Sequence, residues 1–224
     1  MVRRTTDSNA LDSIDNLSYL EKIKSLTKNP VYVGLCLSLT GLYFVVTGVQ
    51  YWTPNYLTKV LGVPSDITAI FFAGTSISAP ISGVIVGGII TTNAGGYNTK
   101  KAQKLQGFLG LMAVVFALPI PFVTFKYFGI CLWLVLFFGG AILPPVTGIM
   151  LNSVSEQQRT SANSIANLTY NLFGYLPAPS FYGMLQTWTG DETSRLPMAM
   201  LMYSTLISIC ALVWSINKKI KNEK

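Results

Sequence analysis

NPVYVGLCLSLTGLYFVVTGVQYW, residues Asn29 to Trp52, sets the terms for the whole chain. Its asparagine suits the cap of a helix and its proline suits the first helical position. No Asp, Glu, Lys or Arg follows before Trp52. About 20 mostly apolar residues are what a helix needs to cross a hydrocarbon core of about 30 Å, so Val31 to Trp52 reads as a membrane span. Five more stretches have the same character: Ile67 to Thr91, Leu105 to Phe125, Phe128 to Leu151, Ser161 to Gln186 and Leu196 to Asn217. The expected fold is therefore an all-α membrane protein of six transmembrane helices.

Composition agrees. Half of the 224 residues are hydrophobic and 11% are charged, against about 25% charged in a soluble domain. The net charge of +7 comes from Lys and Arg in short clusters between apolar runs. Such clusters anchor and orient spans, and no basic domain stands apart to bind nucleic acid. Cys36, Cys131 and Cys210 all lie in apolar runs, and histidine is absent. No metal-ligand spacing exists, so neither a metal nor another cofactor is expected, and no acid-base pair for an enzyme lies within a span.

Orientation follows from the basic residues. With both ends on the cytoplasmic side, the inner segments hold Arg3, Arg4, Lys22, Lys24, Lys28, Lys100, Lys101, Lys104, Arg159, Lys218, Lys219, Lys221 and Lys224. The outer segments hold Lys59, Lys126 and Arg195. Thirteen against three fits an even number of spans. Residues 1–29 form a polar cytoplasmic segment whose start lacks the apolar core of a signal peptide. Within it Ser18 and Glu21 have capping-box spacing, and Leu17, Leu20, Ile23 and Leu26 predict a short amphipathic helix on the membrane or on the protein's own cytoplasmic face. Residues 30–217 form the bundle and 218–224 a basic cytoplasmic tail.

Uncharged polar residues fall in stripes. Span one carries Thr40, Tyr43, Thr47 and Gln50 on one face; span two carries Thr68, Thr75, Ser78 and Ser82; span five carries Asn163, Asn167 and Asn171 beside Tyr170 and Gly174. Two readings stand side by side: hydrogen bonds between packed helices, or a solvated cavity lined by spans one, two and five with three and six facing lipid. Hydroxyls can bond their own backbone, which favours packing for Ser and Thr. Three amides on one face favour the cavity. Ala79, Gly83 and Gly87 are spaced for close approach of a second helix. Pro80 and Gly83 in span two match Pro179 and Gly183 in span five, as an inverted three-plus-three repeat would place them. Pro144 and Pro145 should kink or break span four.

These residues resemble the C-terminal half of a major facilitator superfamily transporter, and most of all its spinster-like branch, whose members move lysophospholipids and sphingoid lipids. The resemblance runs from about Leu26 to Trp214. YFVVTGVQYW (Tyr43 to Trp52) looks like that branch's seventh helix, GVIVGGIITTNAGGY (Gly83 to Tyr97) like the end of the eighth and its loop, and RTSANSIANLTYNLFGYLPAPSFYG (Arg159 to Gly183) like the eleventh. Gly88, Ile90, Gly95, Lys100 and Lys101 fit the superfamily's cytoplasmic loop motif, whereas Thr92 stands at its acidic position and Asn93 at its first basic one. A charge relay through this loop is therefore not expected.

The resemblance implies transport of an amphipathic organic solute, such as a lysolipid or sphingoid lipid, through a path lined by Tyr43, Thr47, Gln50, Asn163, Asn167, Tyr170 and Asn171. It also implies a second six-helix half, from the same gene or a separate chain, as a partner beside the bilayer and the substrate. The competing expectation is a non-transporting membrane scaffold or assembly subunit.

Overall fold

The computed structural model describes residues 19–222, and among these it contains helices, turns and no strand. Helix α1 (Tyr19–Thr27) precedes α2 (Pro30–Asn55), which runs on into a π-helical turn (Tyr56–Val60). Then come α3 (Ser65–Asn93), α4 (Lys100–Ala117) with a 3-10 turn (Ile120–Phe122), and α5 (Phe125–Asn152). A 3-10 turn (Glu156–Gln158) leads to α6 (Arg159–Tyr170), a π-helical turn (Asn171–Tyr175), α7 (Pro177–Thr189) and finally α8 (Leu196–Asn222). Leu17, Ser18 and the polar segment before them lie outside the described residues, as does Lys224.

Asn29 caps α2 as its sequence suggests. Its side-chain oxygen accepts from the Val31 and Tyr32 amides at 3.1 and 3.2 Å. Its amide nitrogen donates to the Ser153 carbonyl at 2.6 Å, which ties the start of α2 to the end of α5. Helix α1 docks on the protein. Leu26 is buried in the core, and the Gln158 amide donates to the Ser25 hydroxyl at 3.1 Å.

Five of these elements are long and apolar enough to span a bilayer: α2 with its π turn, α3, α4 with its 3-10 turn, α5 and α8. The sixth crossing is composite. Neither α6 nor α7 is long enough alone, but the path from Arg159 to Thr189 is helical throughout and rises roughly 45 Å at 1.5 Å per residue. Contacts between links show that it crosses. After one, three and five crossings, Lys59 pairs with Glu192 at 3.3 Å and Arg195 donates to the Pro121 carbonyl at 3.2 Å. Before the first crossing and after the fourth, Asn29 meets Ser153. After the second and sixth, Lys219 meets Asn98 at 3.5 Å. Odd links touch odd links and even touch even, so the chain is an integral, multi-pass membrane protein with six traversals.

Packing follows the inverted repeat. Helix α2 lies along α8 and along the α6–α7 path, while α5 lies along α4 and along α3; α4 and α8 meet each other. Exchanging the first three crossings for the last three maps this pattern onto itself. The result is half of a facilitator-type fold.

Of the two outcomes expected at Pro144 and Pro145, a kink or a break, the structure removes the break, and the expected basic tail also changes. Pro144 and Pro145 do not break the fourth span: α5 is continuous from Phe125 to Asn152. Pro80 likewise sits inside α3. Membrane helices absorb such prolines because neighbours and local turns satisfy the freed groups. The basic tail is no separate segment as far as it is described, since α8 continues to Asn222 and carries Lys218, Lys219 and Lys221.

Candidate functional site

The sequence that sets the site is Asn171–Tyr175 followed by Pro177 and Pro179. A proline at 177 supplies no N–H to the turn before it. The backbone widens there, and the Leu176 amide bonds back to the Asn171 carbonyl at 3.0 Å, five residues away. Gly174 makes the widening possible. A Cβ there would lie 2.6 Å from the Thr40 carbonyl oxygen, so only glycine lets the π turn rest on α2. Single π turns inside helices are frequent at functional sites.

The π turn gathers three tyrosines. Tyr43 of α2 stacks on Tyr170 with ring centroids 4.3 Å apart and faces Tyr175 at 4.9 Å. Tyr170 and Tyr175 stand five residues apart, a spacing that a regular helix would point to different sides. The Tyr170 hydroxyl donates to the Asn167 side-chain oxygen. Sequence reasoning missed Tyr175. Its only signal was Gly174 ahead of Pro177 and Pro179, which disrupts the fourfold spacing of the stripe.

The asparagines form a ladder on their own helix. The Asn167 amide nitrogen donates to the Asn163 carbonyl and that of Asn171 to the Asn167 carbonyl, each at 2.8 Å. Asn163 and Asn171 are exposed and Asn167 is half-buried. Thr47 is likewise bonded to its own helix, donating to the Tyr43 carbonyl at 2.9 Å.

A cavity of about 370 Å³ reaches Tyr43 and Tyr175 of the tyrosine group. Tyr43 and Gln50 of α2 line it together with Tyr175, Ser76 and Pro80 of α3, and Leu143 of α5. Among the described residues the Ser76 hydroxyl has no hydrogen-bond partner. Asn163, Thr47, Asn167, Tyr170 and Asn171 do not line this cavity. Helix α4 contributes Ala113 and α8 contributes Thr205 and Ser208, so the third and sixth crossings do not face lipid alone. The seven residues therefore divide into Tyr43 and Gln50 on the cavity and five beside or beyond it. The tyrosine stack joins the two groups, because Tyr43 lines the cavity and touches Tyr170.

Elsewhere Gly83 and Gly87 of α3 press on α5. A Cβ at Gly83 would overlap the Phe137 carbonyl, and one at Gly87 the Ala141 backbone; Ala79 between the same helices is fully buried. In the loop after α3, Gly95 and Gly96 have φ of 95° and 80°, the left-handed region that glycine adopts freely. Thr92 donates to the Gly88 carbonyl at 2.9 Å, and Lys100 and Lys101 are exposed at the start of α4.

The family model described as Major Facilitator Superfamily matches residues 2–179. Among solved structures, the chain is similar to a crystal structure of a bacterial homolog of the human lysosomal transporter Spinster, in an inward-facing and unoccupied conformation. The TM-score is 0.73 at 15% identity over 93% of this chain, a likeness of fold. The chain spans about half the length of that structure, 52%. No curated protein matches it.

Proposed function

The chain belongs to the Major Facilitator Superfamily, and we propose that it is one half of a transporter that carries an amphipathic organic solute, a lysolipid or sphingoid lipid, across a membrane. The observation that carries the reading is the tyrosine stack. Tyr43 joins a largely apolar cavity to a ladder of neutral amides. An amphipathic solute has those same two parts, a tail for the cavity and a head for the amides. Ligand pockets in general pair apolar walls with a few placed polar groups.

A second six-helix half completes the path, supplied by the same gene or by a separate chain. Helix α3 supports this: it is apolar enough to span, yet only 17% of its most apolar window is buried within the chain. Such a helix has room for both lipid and a partner. The spinster-like branch is the reading favoured by the shared fold and by the residues of the fifth crossing.

The test uses Asn167→Leu in the twelve-helix protein. Uptake of a lysolipid into proteoliposomes falls to background while size-exclusion behaviour is retained. Cysteines at Asn167 and Asn171 react with a small water-soluble thiol reagent, and substrate slows the reaction. Inert cysteines at these sites, with reactive ones at Leu168 and Leu172, would mean that the ladder faces lipid. A correctly paired twelve-helix assembly that moves no lysolipid or sphingoid lipid would favour the scaffold.

A further inference from the structure

We infer that the groove between the end of α3 and the start of α4 binds the headgroup of an anionic phospholipid from the surrounding leaflet. The groove measures about 550 Å³ and shares no lining residue with the cavity lined by Tyr43. Asn93, Lys101 and Lys104 line it near the loop, and Ile90, Leu105 and Phe108 line it farther along the two helices. Lys101, Lys104, Phe108, Leu111 and Val115 share one face of α4 by their spacing, and all five are exposed. The stripe is charged at the loop and apolar beyond it. About 10 Å of helix separates Lys101 from Phe108. A phospholipid has the same order along the membrane normal, head first and chain after.

The charge on this turn is unbalanced. Thr99 caps α4 by accepting from the Ala102 amide at 3.2 Å, and the first turn then carries Lys100 and Lys101 and no acid. Cations at a helix N-terminus oppose its dipole, and Lys104 stands one turn from both lysines, where like charges repel. No Asp or Glu occurs from Ile67 to Ser155. Thr92, at the acidic position of the loop motif, donates to the Gly88 carbonyl and brings no charge. Among the described residues, neither Lys101 nor Lys104 pairs with a carboxylate. Lys219, 3.5 Å from the Asn98 side-chain oxygen, adds a further positive charge at the same end of the bundle. An anion in the groove offsets both the repulsion and the dipole. A soluble anion would leave Ile90, Leu105 and Phe108 without a match, whereas a lipid brings its chains to them. Basic pockets between spans at this level are where acidic headgroups collect.

The full chain is purified in a neutral detergent. Bound molecules are counted by native mass spectrometry during titration with dioleoyl phosphatidylglycerol, dioleoyl phosphatidylcholine or glycerol 3-phosphate. Phosphatidylglycerol should bind roughly thirtyfold tighter than phosphatidylcholine, the value for two lysines near an acidic headgroup. Added salt should narrow that gap. Lys101→Gln with Lys104→Gln should remove the preference. Lys104→Gln alone should remove about half of it on a logarithmic scale, and it serves if the double variant does not fold. Lys24→Gln with Lys28→Gln, an equal loss of charge at two exposed positions, should leave the preference intact. Phe108→Ala should weaken both lipids alike. Equal affinity for the two lipids overturns the inference, as does a preference that survives the substitutions at Lys101 and Lys104. Glycerol 3-phosphate binding as tightly as phosphatidylglycerol would make the groove a site for soluble anions and overturn the lipid. None of these outcomes bears on the transport-half reading, which rests on the cavity and the tyrosines.

Discussion

The seam between α3 and α5 and the seam between α2 and the α6–α7 path occupy equivalent places in the inverted repeat, but their chemistry differs. In the first, backbones touch. Gly83 and Gly87 lie against the carbonyls of Phe137 and Ala141, and a Cβ at Gly140 would come within 2.7 Å of the Pro80 carbonyl oxygen. In the second, rings fill the gap. Trp52 stacks on Tyr182 at 4.6 Å and donates to the Pro179 carbonyl at 3.0 Å, and Tyr43 lies against Tyr170 and Tyr175. Among the glycines of that seam, Gly174 meets backbone and Gly183 meets the Trp52 ring. A backbone contact has no rotamer to yield, whereas rings can turn and a π turn already departs from regular hydrogen bonding. The first seam is thus the rigid one, and the second carries the amides, the tyrosines and the edge of the cavity.

The largest expected effect concerns the repeat itself. The loop after α3 and the loop after α7 are equivalents and lie at opposite ends of the bundle. A single cysteine at Thr99 or Lys221 should label only from the cytoplasmic side and one at Asp191 only from the other, an all-or-none difference. Labelling of Thr99 and Asp191 from one side would remove both the six crossings and the symmetry on which the comparison rests.

Next in size is the rigidity of the first seam. Gly87→Leu forces a side chain into the Ala141 backbone, which cannot move without displacing α5. Overpacking of this kind costs about 1–3 kcal/mol and more where backbone is the obstacle, so folded protein should be largely lost on size-exclusion. Gly88→Ala, one position on, meets nothing within 4 Å and should be neutral or slightly stabilising. Leu206→Phe on the exposed side of α8 should also be near silent. Equal tolerance at Gly87 and Gly88 would mean that α3 does not press on α5.

The rigid seam was readable in the sequence because small residues at fourfold spacing report directly on one helix face. The spans were readable for a similar reason, since length and apolarity are local. The second seam was only half readable. Asparagines at fourfold spacing do share a face, but spacing does not show that their nitrogens turn back onto the helix. Nor does it show the π turn, where the register shifts and Tyr175 joins Tyr170. That shift needs the Thr40 backbone opposite Gly174, a contact between residues far apart in sequence. At Pro144 and Pro145 the sequence allowed a kink or a break, and that α5 runs on unbroken depends on neighbours that local spacing does not show.

A smaller effect separates the two tryptophans that pin these seams. Trp52→Phe removes a donor from the half-buried Pro179 carbonyl and should lower stability by about 1 kcal/mol. Trp133→Phe removes a bond to the exposed Ser78 hydroxyl, 3.0 Å away, whose oxygen keeps its own bond to the Gly74 carbonyl. Its loss should be clearly less. Equal losses measured by thermal unfolding in one detergent would show that Trp52 acts by stacking on Tyr182 alone.

The smallest effect distinguishes the two equivalent loops. The loop after α3 turns on Gly95 and Gly96 and is held by the neutral hydroxyl of Thr99, which bonds the Ala94 carbonyl at 2.8 Å. The loop after α7 turns on Gly190, with φ of 65°, and is held by a charge: the Asp191 carboxylate accepts from the Thr193 amide at 2.8 Å and its hydroxyl at 2.7 Å. Those bonds hold the Asp191 carboxyl below its ordinary range. A depressed folded-state value means that the carboxylate's contribution is fully present above the unfolded value, about 3.9, and is lost as pH falls through the folded one. Asp191 is fully exposed, so the effect is local and should not shift the unfolding midpoint. It should appear in hydrogen exchange. The Thr193 amide should exchange several-fold faster in Asp191→Ala than in the parent at pH 7, and the two should converge only below the usual carboxylate range. Protection of the Ala102 amide, which bonds the Thr99 hydroxyl at 3.2 Å, should show no such convergence in Thr99→Ala. Convergence of the Thr193 rates already near pH 5 would mean that the carboxylate does not hold the loop, and the charged and neutral loops would then be alike.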